Sequence, residues 1–133
     1  MTLGVRAAVL DANSRVLLVR HGYLPGWHFP GGGVERRETL LDALTRELLE
    51  EGNVILRGAP QWQGMFYNPT ASVRDHIGFF VVRDFEWKGP PKPSLEIREA
   101  NFFPVSNLPD GTSAGTLRRL DEIAKRTAPS AVW

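Results

Sequence analysis

Glu47, Glu50 and Glu51 are the residues of this chain whose type and spacing best suit chemistry. The i, i+3, i+4 pattern places three carboxylates on one helix face. Thr39-Leu40-Leu41-Asp42 carries a capping-box pattern, so a helix begins at Leu40. Gly52-Asn53 supplies residues that tolerate the left-handed conformation ending helices. The three anions then crowd the last turn, where the helix dipole disfavours them by about 0.3–1 kcal/mol each. Mutual repulsion adds about 0.2–0.5 kcal/mol per pair. A local rule broken this way marks a functional site, and a bound divalent cation is its simplest compensation. Ahead of the helix, Pro30-Gly31-Gly32-Gly33 lets the backbone approach a ligand closely, and a glycine carbonyl is itself a possible ligand. Mg²⁺ takes oxygen ligands and keeps waters, so a few carboxylates plus substrate phosphate oxygens suffice; it polarises a phosphoryl group and activates water. The competing reading is a solvated acidic face on a surface helix.

The elements that must position these groups follow from periodicity. Val5 to Leu10 and Val16 to Val19 are apolar, β-branched runs around Asp11-Ala12-Asn13-Ser14, which predicts a hairpin. A loop with Gly22, Pro25 and Gly26 leads to Trp27-His28-Phe29 and the glycine-rich breaker. In the helix from Leu40 to Glu51, Leu41, Leu44 and Leu48 form an apolar stripe, with Ala43 nearby and Glu47 and Glu51 at its border. Val54 to Leu56 continues as strand. Trp62 to Tyr67 and His76 to Val82 are expected to pair antiparallel across Asn68-Pro69-Thr70. Gly89-Pro90-Pro91-Lys92-Pro93 is a stiff loop, Phe102 to Val105 a short strand, and Gly115 to Arg126 a closing helix through Leu117, Leu120, Ile123 and Ala124. Strands interleaved with one central and one terminal helix predict an α/β sandwich around a mixed sheet, in one domain over residues 1–133.

The totals narrow the class. A chain of 133 residues is large enough for a real core, and its net charge of +1 gives no bulk argument for nucleic acid or membrane. With no cysteine there is no disulfide, thiolate metal site or cysteine nucleophile, and a reducing cytoplasm is the expected location. No stretch approaches the roughly 20 apolar residues that span a bilayer, and the start of the chain has no secretory pattern.

Gly32, Glu38, Arg46-Glu47-Leu48, Glu50-Glu51 and Val54 together resemble the Nudix hydrolase signature G-x5-E-x7-R-E-U-x-E-E-x-G-U, where U is aliphatic. The lead-in Trp27-His28-Phe29-Pro30-Gly31-Gly32 is similar to the family's, as are Phe102-Phe103-Pro104 and Leu108-Pro109. One position departs: Asn53 stands for the second signature glycine, and asparagine is the next best left-handed cap. The resemblance implies a Nudix-type α/β/α sandwich around a mixed β-sheet, with a loop-helix-loop catalytic motif. It implies Glu47, Glu50 and Glu51 as ligands for Mg²⁺ or Mn²⁺, the Gly32 carbonyl as a fourth, and Arg46 with Glu38 as a brace. The alternative for Arg46 is a plain surface ion pair.

By the same resemblance, the general base is Glu50 or a glutamate of Ser94-Leu95-Glu96-Ile97-Arg98-Glu99, with Glu96 ahead of Glu99. Arg6, Arg20 and Arg74 are candidates for phosphate oxygens and Trp27, Phe66 and Tyr67 for a nucleobase, against strand-end charge and core packing. His21, His28 and His76 show no metal spacing. The implied activity is metal-dependent hydrolysis of a nucleoside diphosphate linked to a moiety X, by a monomer or homodimer. A sensor module that binds without hydrolysis is the alternative, disfavoured because every box carboxylate is present. An isomerase of this superfamily relies on a cysteine this chain lacks. X stays open among triphosphates, dinucleoside polyphosphates, nucleotide sugars, ADP-ribose and RNA 5′ ends, with loops 68–75 and 85–93 free to set specificity.

Overall fold

The structure, a computed structural model, describes residues 2–69 and 75–133. In chain order it contains β1 (Thr2–Val9), β2 (Arg15–His21), β3 (Trp27–His28), β4 (Gly31–Gly33), α1 (Leu40–Gly52), β5 (Val54–Leu56), β6 (Gln61–Tyr67), β7 (Asp75–Val82), β8 (Phe85–Trp87), β9 (Ile97–Pro104) and α2 (Ala114–Lys125). The strands form sheets ordered β4-β1-β7-β6, β3-β2-β9 and β5-β8. β1 and β7 are parallel, and the other described strand pairs are antiparallel, so the largest sheet is mixed.

Side chains alternate across a strand, and this chain uses both faces. Val5, Ala7 and Val9 of β1 pack with Leu17 and Val19 of β2 against Ala43, Leu44 and Leu48 of α1. The intervening Ala8, Leu10, Val16 and Leu18 face the opposite way, with Phe79 and Val81 of β7 and Leu120 of α2. One helix thus covers each face, giving the expected α/β/α sandwich. Leu44 and Leu48 are fully buried, each contributing about 1.5–3 kcal/mol of burial.

The predicted hairpin is a corner instead. Asp11 accepts the N–H groups of Asn13 (3.0 Å) and Arg15 (2.9 Å) and closes the turn, yet β1 and β2 meet only at the Leu10–Val16 bridge. Both edges of each strand are already taken, β1 by β4 and β7, β2 by β3 and β9, so the two diverge into separate sheets. The glycine breaker also differs: Gly31–Gly33 is itself a strand, antiparallel to β1. Leu41 is half exposed, because the buried stripe of α1 runs through Ala43, Leu44, Glu47, Leu48 and Glu51. The late strand is longer than Phe102 to Val105, which moves Glu99 inside β9. Phe85–Trp87, expected in a loop, pairs with β5.

The frame of α1 forms as its sequence dictates. Thr39 Oγ1 accepts the Asp42 N–H and the Asp42 carboxylate accepts the Thr39 N–H, both at 3.0 Å. At the other end Asn53 is left-handed at φ 61°. Its Nδ2 donates to the Gly89 carbonyl (3.1 Å), while the Trp87 indole donates to the Gly52 carbonyl (2.9 Å). β8 and the segment after it therefore hold the helix end that carries the glutamates. No helix among the described residues is long and apolar enough to cross a membrane.

Candidate active site

The last two turns of α1 carry Glu47 and Glu51 inward against β4, which is held in register on β1 with Gly32 opposite Val5 and Gly31 opposite Arg6. The Gly31 N–H donates to Glu51 Oε1 at 2.9 Å. Gly31 sits at φ +155°, and a Cβ there would lie 2.0 Å from the Val5 carbonyl oxygen. A Cβ on Gly32 would lie 2.5 Å from the carboxyl carbon of Glu47. The β1 backbone requires glycine at Gly31, and a side chain at Gly32 would displace the Glu47 carboxylate.

Glu47 and Glu51 are only 9% and 7% exposed, while the Glu50 side chain is 60% exposed. Burial pushes the Glu51 carboxyl up to about 8, with the charges of Glu47 and Glu96 adding, and the Gly31 N–H and Arg6 opposing. Burial also raises Glu47, against the pull of Arg46. Two desolvated carboxyls thus face one another at the end of a helix whose dipole already disfavours them.

Arg46 braces the motif. It forks onto Glu38, Nε to Oε2 at 2.9 Å and Nη2 to Oε1 at 2.8 Å. The same guanidinium donates to the Gly33 carbonyl (3.1 Å) and to Glu47 Oε1 (2.6 Å). These hydrogen bonds hold the Glu38 carboxyl down at about 2, helped by the Glu35 N–H. The guanidinium ties the loop, β4 and the helix together, which a plain surface pair does not do.

Among the described residues no three carboxylates or histidines converge on one point: Glu47 turns one oxygen to Arg46 and Glu50 faces outward. Glu96, exposed on the loop before β9, lies within electrostatic reach of the cluster. The Gly22 N–H donates to its carbonyl (2.9 Å), and its charge is felt by Glu47, Glu51 and Tyr23. Glu99 does not join; it forms a half-exposed pair with Arg20 at 2.8 Å. Arg20, a candidate phosphate contact, is thus engaged with Glu99 at the surface.

Arg6 lines a cleft next to the cluster together with His28, whose Nε2 lies 2.8 Å from the Pro25 carbonyl. Arg74 lies outside the described residues. Phe66 is core and fully buried, and Trp27 packs edge-on against Phe103. Tyr67 and His76 have neighbouring rings on paired strands.

Sequence reasoning gave His21 no metal role and did not single out Tyr23, Arg119 or Trp133. The His21 Nδ1 is buried without a hydrogen-bond partner among the described residues, 4.0 Å from Glu51 Oε2. Burial, with His28 and Arg6, lowers its pKa to about 4, so the ring is neutral. Arg119 had a legible signal, since Thr116, Leu120 and Ile123 at helical spacing put position 119 on the buried side. His21, Tyr23 and Trp133 gave none, because only tertiary packing places them.

The family model for the NUDIX domain matches residues 1–123. An ADP-ribose pyrophosphatase from Methanocaldococcus jannaschii is 29% identical over 104 residues, 76% of this chain and 61% of that protein. An 8-oxo-dGTP diphosphatase from Buchnera aphidicola is 34% identical over 84 residues, 62% of this chain and 64% of that protein. The matches therefore span less than two thirds of the length of either curated relative. Among solved structures, a MutT NUDIX hydrolase from Burkholderia pseudomallei shares the fold at TM-score 0.76 and 21% identity, covering 92% of this chain and 97% of that one. A family match across nearly the whole chain, on a fold of the same type, makes this protein a member of the NUDIX domain family.

Proposed function

We propose that this chain hydrolyses the diphosphate linkage of nucleoside diphosphate derivatives, with Mg²⁺ or Mn²⁺ held by Glu47, Glu50, Glu51 and the Gly32 carbonyl. The observation that carries the reading is the pair of buried carboxyls, Glu47 and Glu51, packed against Gly31 and Gly32, where an added side chain would strike the β1 backbone or the Glu47 carboxylate. Their pKa values, raised by burial despite Arg46 and Arg6, and the orphaned His21 Nδ1 beside Glu51 mark a desolvated site that a cation would suit. All-oxygen donors of this kind fit a hard cation. When bound, such a cation polarises the phosphoryl group, screens its charge and lowers the pKa of a water.

The chain's own residues do the positioning. The Gly31 N–H orients Glu51 Oε1, and Arg46 fixes Glu47 through Oε1, leaving Oε2 without a hydrogen bond among the described residues. Glu50, on the open side of the helix, and Glu96, on the loop before β9, are the two groups proposed to take the proton of the attacking water. Glu50 serves as ligand or base, and Glu96 approaches the same carboxylates from another element. The names of the relatives, an ADP-ribose pyrophosphatase and an 8-oxo-dGTP diphosphatase, support diphosphate cleavage and leave X open between them.

A panel of nucleoside diphosphate derivatives assayed with Mg²⁺, with Mn²⁺ and with chelator tests this. Turnover appears with metal and vanishes with chelator and in Glu50→Gln, which keeps its fold by circular dichroism. Wild-type rates in Glu50→Gln with Mg²⁺ would sink the assigned roles. Calorimetric binding without any product would favour the sensor reading instead.

A further inference from the structure

Arg6 belongs to two places at once. Its charge is felt by Glu51, and it lines a neighbouring cleft of about 370 Å³ formed by β1, the start of α2 and the 130–133 segment. The cleft walls combine apolar Leu24, Pro69 and Val132 with a set of donors. Trp133 is only 6% exposed, yet its indole N–H has no acceptor among the described residues. That nitrogen lies against the first turn of α2, where a Cβ on Gly115 would come within 2.3 Å of it. The Ala114 and Gly115 N–H groups, at the positive end of this 12-residue helix, also have no acceptor among the described residues.

The arginines behave alike. Arg118 donates through Nε to the Trp133 carbonyl (2.9 Å), which leaves both terminal nitrogens without a described partner. Arg6 lies over the Trp133 ring at 5.2 Å and makes no described ion pair, although Asp75 and Glu51 are within electrostatic reach. Among the described residues no aspartate or glutamate lines the cleft, and none occupies the first turn of α2.

The donors are also held in place before any ligand arrives. Arg119, itself buried, donates to the Val132 carbonyl (3.0 Å) and the Trp133 carbonyl (2.9 Å). Tyr67 brackets the same segment, donating to the Ala131 carbonyl and accepting from the Trp133 N–H, both at 2.8 Å. Unsatisfied donors, two arginines and a helix N-terminus without a carboxylate suit an anion with several acceptor oxygens.

We propose that this cleft is an anion seat for a further phosphate of the substrate, beyond the diphosphate that is cleaved. The preferred substrates are then those whose X carries its own phosphate. The substrate assignment rests on the hydrolase reading above; the seat itself is testable without turnover.

Two measurements test it. In the first, inorganic phosphate is titrated into the metal-free protein while the Trp133 indole and Gly115 amide signals are followed by NMR. Both shift, and Arg118→Gln, at an exposed position, weakens the binding about tenfold. Absent shifts at millimolar phosphate, or unaltered binding in Arg118→Gln, overturn the seat. In the second, kcat/KM is compared for two diphosphates that differ only by one phosphate on X. The wild type prefers the phosphorylated one, and the preference falls about tenfold in Arg118→Gln and in Trp133→Phe, which removes the indole donor. Lys125→Gln, at the far end of the same helix, leaves the preference intact. A preference that survives Arg118→Gln overturns the proposal. Phosphate shifts in a protein that cleaves neither substrate sustain the seat and refute the hydrolase reading.

Discussion

Glu51→Gln stabilises the metal-free protein, against the usual expectation for a buried hydrogen-bonded residue. Glu51 has a folded pKa of about 8 against an ordinary value of 4.5. Between those values the unfolded chain is ionised while the folded carboxyl keeps its proton, so the folded state binds more protons. Each pH unit across that window therefore favours unfolding by about 1.4 kcal/mol. Below 4.5 the group contributes no slope, and above about 8 the penalty is constant.

At pH 7 the accumulated penalty is on the order of 3 kcal/mol. Glutamine escapes it, retains an Oε1 acceptor for the Gly31 N–H, and places an amide donor near the unpartnered His21 Nδ1. Thermal unfolding in chelator from pH 5 to pH 9 reads the effect as the difference between wild type and variant. That difference grows as pH rises through the window, to about 10 °C near neutrality for a domain of this size. Added Mg²⁺ reverses the order, because only the carboxylate gains from the cation. A variant less stable than wild type in chelator, by an amount independent of pH, would refute the reasoning.

Other outcomes follow from the same geometry. Arg46→Lys keeps the charge but loses the fork onto Glu38 and the Gly33 contact, so metal affinity read by calorimetry falls about 10-fold or more. Arg119→Met removes one donor from each of the Val132 and Trp133 carbonyls and leaves the Glu122 carboxylate without its cation, and lowers stability in urea by about 3–5 kcal/mol. Asn53→Ala loses both a tolerant left-handed residue and the Gly89 contact, costing about 1–2 kcal/mol by thermal melts. Asn53→Gly, which restores the signature residue, gains backbone ease and loses that contact, and stays within about 0.5 kcal/mol of wild type.

The catalytic helix was readable from sequence because its signals are local. Thr39 and Asp42 cap each other, Asn53 ends the helix, and Leu44 and Leu48 at helical spacing find the core. The Arg46 and Glu38 brace was readable only through the family pattern, since eight positions separate its partners. Where strands go was less legible. The turn at Asp11 forms as its residues demand, but the pairing beyond it is decided by which edges β4, β7, β3 and β9 occupy. Gly31 to Gly33 read as a breaker because glycine disfavours strands, whereas the β1 backbone against Gly31 and the Glu47 carboxylate against Gly32 favour it in this one. The Trp133 cleft was invisible, since its walls come from residues more than a hundred positions apart that only the finished sandwich brings together.

The most direct measurement of the central claim is turnover of a nucleoside diphosphate derivative in water enriched in heavy oxygen, with Mg²⁺ present and the products resolved by mass spectrometry. Attack of water at phosphorus puts the label into one phosphate product, in the wild type and not in Glu50→Gln. Label in a carbon-bound hydroxyl, or no metal-dependent product from any substrate of the panel, would contradict the account.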